Sequence, residues 1–330
     1  MNGLASIPSP SFNSISLGPL DLRLYGLMIA FGVIAAVWLF GRRLEARGYG
    51  TRDDAGAIGM WGVVGGIIGS RLYHVVTDWH RFRDNLADIP KIWEGGLGIP
   101  GGIFVGVLFG AYVGRQRGIP VPVQLSLVAP SLPLAQAIGR WGNWFNQELF
   151  GRPTDLPWAL EVDAEHIPAG YTPGTTFHPA FLYESLWNLG LAGALLLIDR
   201  RVKLGTGKLF ALYMAGYGAG RLWIERLRID PATQVGGLRW NEWMAMGLIV
   251  IGLAWFLLAP RREWPAPAMV GGPYAPDEPI ELDDDAGDVS ELAALDGVDP
   301  DALDAVAEPP DYPLVDDAAA DDDGPSGAGS

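Results

Sequence analysis

The sequence of 330 residues contains no cysteine. That excludes a disulfide framework, a thiolate metal site and a cysteine nucleophile belonging to the chain itself. HExxH and GxSxG are also missing, which counts against a zinc-dependent intramembrane protease or a serine hydrolase. No repeat relates the two halves and charge is scarce near the middle of the apolar runs, both unlike a transporter or channel. No basic residue precedes the first apolar run and no small-residue cleavage site follows it, so the N-terminus is not expected to be a signal peptide. Basic residues end altogether at Arg262, whereas 19 of the 38 acidic residues lie in 277–323. The net charge of −15 therefore belongs to a tail. The rest carries 23 basic residues against 19 acidic ones, a net of +4. The tail is rich in Asp, Ala, Pro and Gly, too poor in apolar surface to pack, and reads as disordered.

Hydrophobic residues make up 49% of the chain and its mean hydropathy is positive, which points to a membrane protein. A bilayer core of about 30 Å needs about 20 residues of helix. Seven runs approach that, at 20–40, 55–76, 97–113, 121–138, 180–198, 209–224 and 243–259. Their linkers alternate in basic content. Arg42, Arg43, Arg47, Arg52, Arg115, Arg117, Arg200, Arg201, Lys203, Lys208, Arg261 and Arg262 fall in one set, which marks the cytoplasmic side. The expectation is an all-α polytopic membrane protein with seven transmembrane helices and a small extracytoplasmic cap, its N-terminus outside and its C-terminus cytoplasmic. The corresponding divisions are an extracytoplasmic segment 1–19, a membrane domain 20–262 with the cap at about 151–178, and the acidic tail 263–330. The cap linker holds four prolines and three glycines, so turns and short strands are expected there.

The sequence GRWGNWFNQELFG at 139–151 sets Arg140, Asn143, Asn146, Gln147 and Glu148 among aromatic residues directly after an apolar run. Aromatic rings there act as headgroup-level anchors, so these polar groups are placed at the depth of lipid phosphates. An interfacial arginine that only snorkels is the plainer alternative. Arg221, Glu225 and Arg228 follow at i, i+4 and i+7 on one helix face, as an intrahelical ion pair or as part of a site. Taken singly, Arg71, with His74 one turn on, and Tyr25 fit a snorkelling arginine and an aromatic belt. His178 precedes Pro179 at the opening of a helix, where a ligand, a base and a hydrogen-bonding cap are all open readings. Tyr183 and Glu184 lie on the first turns of an otherwise apolar helix and are expected to bond to neighbouring helices.

The pattern GRxGNxxNxExxG resembles the signature of the prolipoprotein diacylglyceryl transferases. LRLYGLM (22–28), GSRLYHVV (69–76), WEGGLGIPGG (93–102), HPAFLYE (178–184) and GAGRLWIERLR (218–228) resemble that family's other blocks, in order. The resemblance implies a multi-pass enzyme of the bacterial inner membrane. Its partners would be phosphatidylglycerol, lipoprotein precursor peptides and membrane lipids, with no nucleic acid, cofactor or metal. It carries Arg140, Glu148, Arg221, Glu225 and Tyr25 over as catalytic positions. Arg140, Asn143, Arg221 and Arg71 are carried over as binding phosphatidylglycerol, with His178 held as a further candidate. One departure stands out. The third block commonly has a histidine where this chain has Pro100, so a mechanism through that imidazole does not transfer.

Overall fold

The computed structural model describes residues 6–18, 20–83 and 85–267. The acidic tail lies outside these residues from 268 onward.

A hairpin of β1 (Ser14–Leu17) and β2 (Leu20–Arg23) leads into α1 (Leu24–Ala46). This helix stops at Gly48, whose φ of +70° suits a C-terminal glycine, with Tyr49 N donating back to Leu44 O. Thr51 and Asp54 form a capping box that starts α2 (Arg52–Thr77). A short helix α3 (Trp79–Phe82) and two 3₁₀ turns lead to α4 (Ile99–Gln116), which has Pro100 in its first turn. Helices α2 and α4 touch through glycine. A Cβ on Gly69 would lie 2.3 Å from the Gly101 carbonyl, and one on Gly101 equally close to the Gly69 carbonyl. Small residues permit this approach, which is how helices gain packing in lipid.

The run expected as one span at 121–138 is broken into α5 (Val121–Val128) and α6 (Ser131–Gly139), and α7 (Trp141–Phe145) follows. The two parts meet at 46°. Pro130 supplies the cause, since it has no N–H for the carbonyl four residues back. That carbonyl belongs to Ser126, and Arg43 Nη2 donates to it instead at 3.2 Å. Arg43 and Arg47 also pair with Asp199 at 3.1 and 2.9 Å, tying α1 to the far end of α8 (Ala180–Arg201).

Between α7 and α8, β3 (Leu160–Glu161) pairs with β4 (Thr176–Phe177), and Ile7 bridges to Leu160. Phe150, Leu160, Val162, Phe177 and Phe181 give this cap a small apolar core. After α9 (Lys208–Glu225), a hairpin of β5 (Gln234–Val235) and β6 (Leu238–Arg239) opens α10 (Trp240–Leu258). Lys208 Nζ donates to the carbonyls of Phe256 and Ala259 where α10 ends. Residues 263–267, grouped with the tail on composition, are docked. Trp264 packs on Tyr49 and donates to Leu204 O at 2.8 Å, and Tyr49 Oη donates to Pro265 O at 2.5 Å.

Among the described residues, α1, α2, α8 and α10 are each long and apolar enough to cross a membrane. The bent stretch from α5 through α7 makes a fifth candidate. The molecule is thus a mostly helical membrane protein.

Candidate functional site

The motif at 139–151 forms the junction between α6, α7 and the cap. Arg140 stands between the two helices, and its Nη1 donates to Asn143 Oδ1 at 3.3 Å. Asn143 is buried and donates through Nδ2 to Glu148 Oε1 at 3.0 Å; Asn146 donates to the same oxygen at 3.2 Å. Glu148 itself is exposed, and its Oε2 has no hydrogen-bond or ion-pair partner among the described residues. On either side of it, Gln147 and Leu149 have φ of 50° and 59°, a left-handed conformation that costs a residue with a Cβ. Gln147 is held there by its amide. Nε2 donates to Pro10 O and Asp163 Oδ2, and Oε1 accepts from Asp163 N at 2.8 Å.

Across from Arg140, Glu184 on α8 takes its Nε on Oε2 at 2.6 Å. The other oxygen of Glu184 faces Arg221 Nη1 of α9 at 3.6 Å. Arg221 pairs in turn with Glu225 at 2.8 Å. Glu225 is fully buried, a position that demands compensation of its charge. Arg239 Nε at 2.7 Å and Arg228 at 3.8 Å supply it from the chain that joins α9 to α10, and Asn241 Nδ2 at 3.1 Å from the first turn of α10. Arg228 and Arg239 then share Asp230 at 2.7 and 2.9 Å. Burial alone would raise the Asp230 carboxyl, but the Arg228 hydrogen bond and the two guanidinium charges hold it below the usual carboxylate range. Arg152 N donates to Leu227 O at 2.8 Å, which fastens the end of the motif to the same loop. The result is one connected array from Glu148 through Asn143, Arg140, Glu184 and Arg221 to Glu225.

Tyr25 sits where α1 begins, against α7. A Cβ on Gly142 would lie 2.7 Å from its ring, so glycine is what admits the tyrosine beside the motif. His178 belongs to the cap. Its Nδ1 is 3.1 Å from Tyr183 Oη, and burial, followed by the nearby Arg152 charge, lowers its pKa.

Arg71 is placed differently. Its guanidinium is consumed by carbonyls, Nε on Ile89, Nη2 on Asp88, and Nη1 on Gly95 and Gly96, at 2.6 to 3.2 Å. It fixes the fold of 88–96, and no hydrogen bond or ion pair joins it to the Arg140 array among the described residues. Pro100 lies with this segment, beside α2. Sequence reading did not single out Arg239 or Asn241, named Gln147 only as one polar member of the motif, and saw in Glu184 only a polar residue bonding between helices. A buried carboxylate on an apolar helix was the one available signal.

Two guanidiniums aimed at a shared carboxylate, beside aromatic residues and an exposed carboxylate, form a site able to hold a phosphate and accept a proton. The family model of prolipoprotein diacylglyceryl transferase matches residues 13–258. The chain is similar to phosphatidylglycerol–prolipoprotein diacylglyceryl transferase 1 of Streptomyces coelicolor, 50% identical over 265 residues, 79% of this chain and 76% of that relative. It is likewise 48% identical over 269 residues to the phosphatidylglycerol–prolipoprotein diacylglyceryl transferase of Streptomyces griseus, covering 79% of this chain and 81% of the other. With that of Cutibacterium acnes the identity is 46% over 270 residues, 78% and 88% of the two chains.

Proposed function

The chain belongs to the prolipoprotein diacylglyceryl transferase family, and from that premise we propose the reaction its array performs. It transfers the diacylglyceryl group of phosphatidylglycerol to the cysteine thiol of lipoprotein precursors. The thiol sulfur attacks the glyceryl carbon that bears the phosphate, a thioether forms, and glycerol 1-phosphate leaves with the bonding electrons. The observation that carries this reading is the convergence of Arg140 and Arg221, from two different elements, on one side-chain carboxylate. A phosphate bound there meets two planar donors, and charge that develops as the C–O bond breaks falls on positions already fixed. Asn143 orients Arg140, Glu225 holds Arg221, and Tyr25 closes the α1 side.

A free thiol has a pKa near 8.5, so roughly 3% is thiolate at neutral pH. The two arginines raise that fraction, and Glu148 takes the proton directly or through water. Glu225 suits this less, because it is fully buried and its oxygens already face Arg221, Arg239 and Asn241. His178 stays with the cap in this reading, bonded to Tyr183, and Arg71 acts on the lipid side only through the segment it folds.

Two further helices complete seven spans. Helices α4 and α9 have 18 residues each, about 27 Å at 1.5 Å per residue, close to the thickness of a bilayer core. Their glycines lower the mean hydropathy without lowering their ability to pack. The distribution of Lys and Arg supports an N-terminus outside and a C-terminus in the cytoplasm of a bacterial inner membrane. The array and cap then face outward, 20–262 is the catalytic domain, and the acidic tail is cytoplasmic. The test of function is direct. Membranes carrying the protein, given labelled phosphatidylglycerol and a precursor peptide, should yield thioether-linked lipid on the cysteine; no label on the peptide would overturn the assignment.

A further inference from the structure

Glu184 lies on the second turn of α8 and is 4% exposed. Arg140 and Arg221 are its ion partners among the described residues, one to each oxygen. Arg228 is near enough to feel its charge, and Glu225 serves Arg221 as well as Arg239 and Arg228, so the cluster sets four arginines, Arg140, Arg221, Arg228 and Arg239, against three carboxylates, Glu184, Glu225 and Asp230. What remains of these seven groups for a ligand is a single net positive charge; Glu148, exposed to solvent and joined to Arg140 through Asn143, stands outside that count.

We propose that Glu184 determines the charge specificity of the phosphate subsite: it holds Arg140 and Arg221 in place and limits their combined charge to +1, fitting a phosphodiester monoanion. The inference rests on the function proposed above. Phosphatidylglycerol is a phosphodiester with one negative charge, whereas the departing glycerol 1-phosphate is a phosphomonoester that gains a second charge above about pH 6. In a partly buried site a second negative charge costs free energy unless it is compensated. Here it faces Glu184, and the four arginines of the cluster already have carboxylate partners. The substrate is accepted and the product, once formed, is repelled. Without Glu184 the two arginines would keep the dianion and the site would stall on its own product.

The test uses the full-length protein in mixed micelles, with transfer from phosphatidylglycerol to a precursor peptide as the readout. Glycerol 1-phosphate and phosphatidate, a phosphomonoester lipid, serve as inhibitors. Glu184→Gln keeps the size of the side chain and removes its charge. It should strengthen inhibition by both monoesters at least tenfold, leave KM for phosphatidylglycerol unchanged or lower, and reduce kcat with a burst of first-turnover product. Glu184→Asp keeps the charge but shortens the reach. It should raise KM while inhibition by monoesters stays weak. Equal inhibition of parent and Glu184→Gln, or the same behaviour in both variants, would leave only a structural role and overturn the proposal.

If Glu184→Gln does not insert, the parent alone decides. Phosphatidate inhibition should weaken several-fold from pH 5.5 to pH 8 as the monoester takes its second charge. His178 is a titratable group of the adjoining cap, so the series is repeated in His178→Gln. Inhibition that strengthens with pH in both proteins overturns the proposal. A parent that transfers nothing from phosphatidylglycerol would instead defeat the function; binding of phosphatidate and phosphatidylglycerol then still reports on the subsite.

Discussion

At the scale of single residues, the proposed roles of Arg140 and Arg221 depend on planar, paired donation, which lysine cannot reproduce. Replacing either by Ala should lower transfer by about 10²- to 10³-fold, in the range seen when a preorganised donor is lost. Lys at either position should restore little of it. The measurement is labelled-lipid transfer at matched protein abundance, and near-parental transfer by Arg140→Lys would contradict the geometry. Gln147 makes a second case. Its side chain pays for its own left-handed backbone, so Gln147→Ala should keep the strain and lose the clamp, lowering kcat by misplacing Glu148 while Arg140 and Arg221 still bind lipid. His178 gives a pH expectation. Its pKa is lowered in the fold, so the unfolded cap takes up a proton that the folded cap refuses. Cap stability is then complete above about pH 6.5 and declines as pH falls below it. Amide exchange of 151–178 against pH should show that decline, and His178→Gln should remove part of the slope. Arg140, Asn143, Glu148, Arg221 and Glu225, which stood out in the sequence as polar residues at a membrane boundary and through the family resemblance, are brought into one array. Two further partners of Glu225 did not stand out. Arg239 and Asn241 reach it across a hairpin, and that contact depends on a loop path that hydropathy does not encode.

At the scale of elements, hydropathy placed the helices well and missed the break in the fourth run. Pro130 was visible, but apolar residues continue on both sides of it, and a period-based reading passes through. What makes the break tolerable is remote. Arg43, 83 residues earlier, supplies the donor that the proline withholds from Ser126. Arg43→Ala should therefore leave a buried carbonyl without its donor and Asp199 with one partner fewer, costing about 2–4 kcal/mol. Thermal unfolding in detergent measures this, and a loss below about 0.5 kcal/mol would show that water replaces the guanidinium. The α2–α4 contact gives a sharper expectation. Gly69→Val or Gly101→Val drives a side chain into a facing backbone carbonyl, which cannot yield as a flexible side chain would. Either variant should fall in abundance with Arg71 and its loop displaced, and normal abundance with full transfer would mean that the helices separate at little cost.

At the scale of the whole molecule, reporters on the cap near Ala164 and beyond 267 should read opposite sides of the membrane. Two reporters on one side would remove the seven-span arrangement. A chain ending at 267 should still catalyse, whereas one ending at 262 should be less stable, since it loses Trp264 and Pro265 from their seats on Tyr49 and Leu204. Those seats have a mechanical meaning. Residues 262–265 grip the α1–α2 turn and the turn before α9, at Thr206 as well as at Leu204 and Tyr49. The opposite end of α1, where Tyr25 meets Gly142, is a full helix of 23 residues away, about 35 Å. Tension applied beyond 267 therefore loads Pro265 and then Trp264, and is passed to two turns rather than along α10. The clasp acts as a strain relief, and a pulling trace from the C-terminus should show a small early rupture while the arginine array is still assembled and turning over.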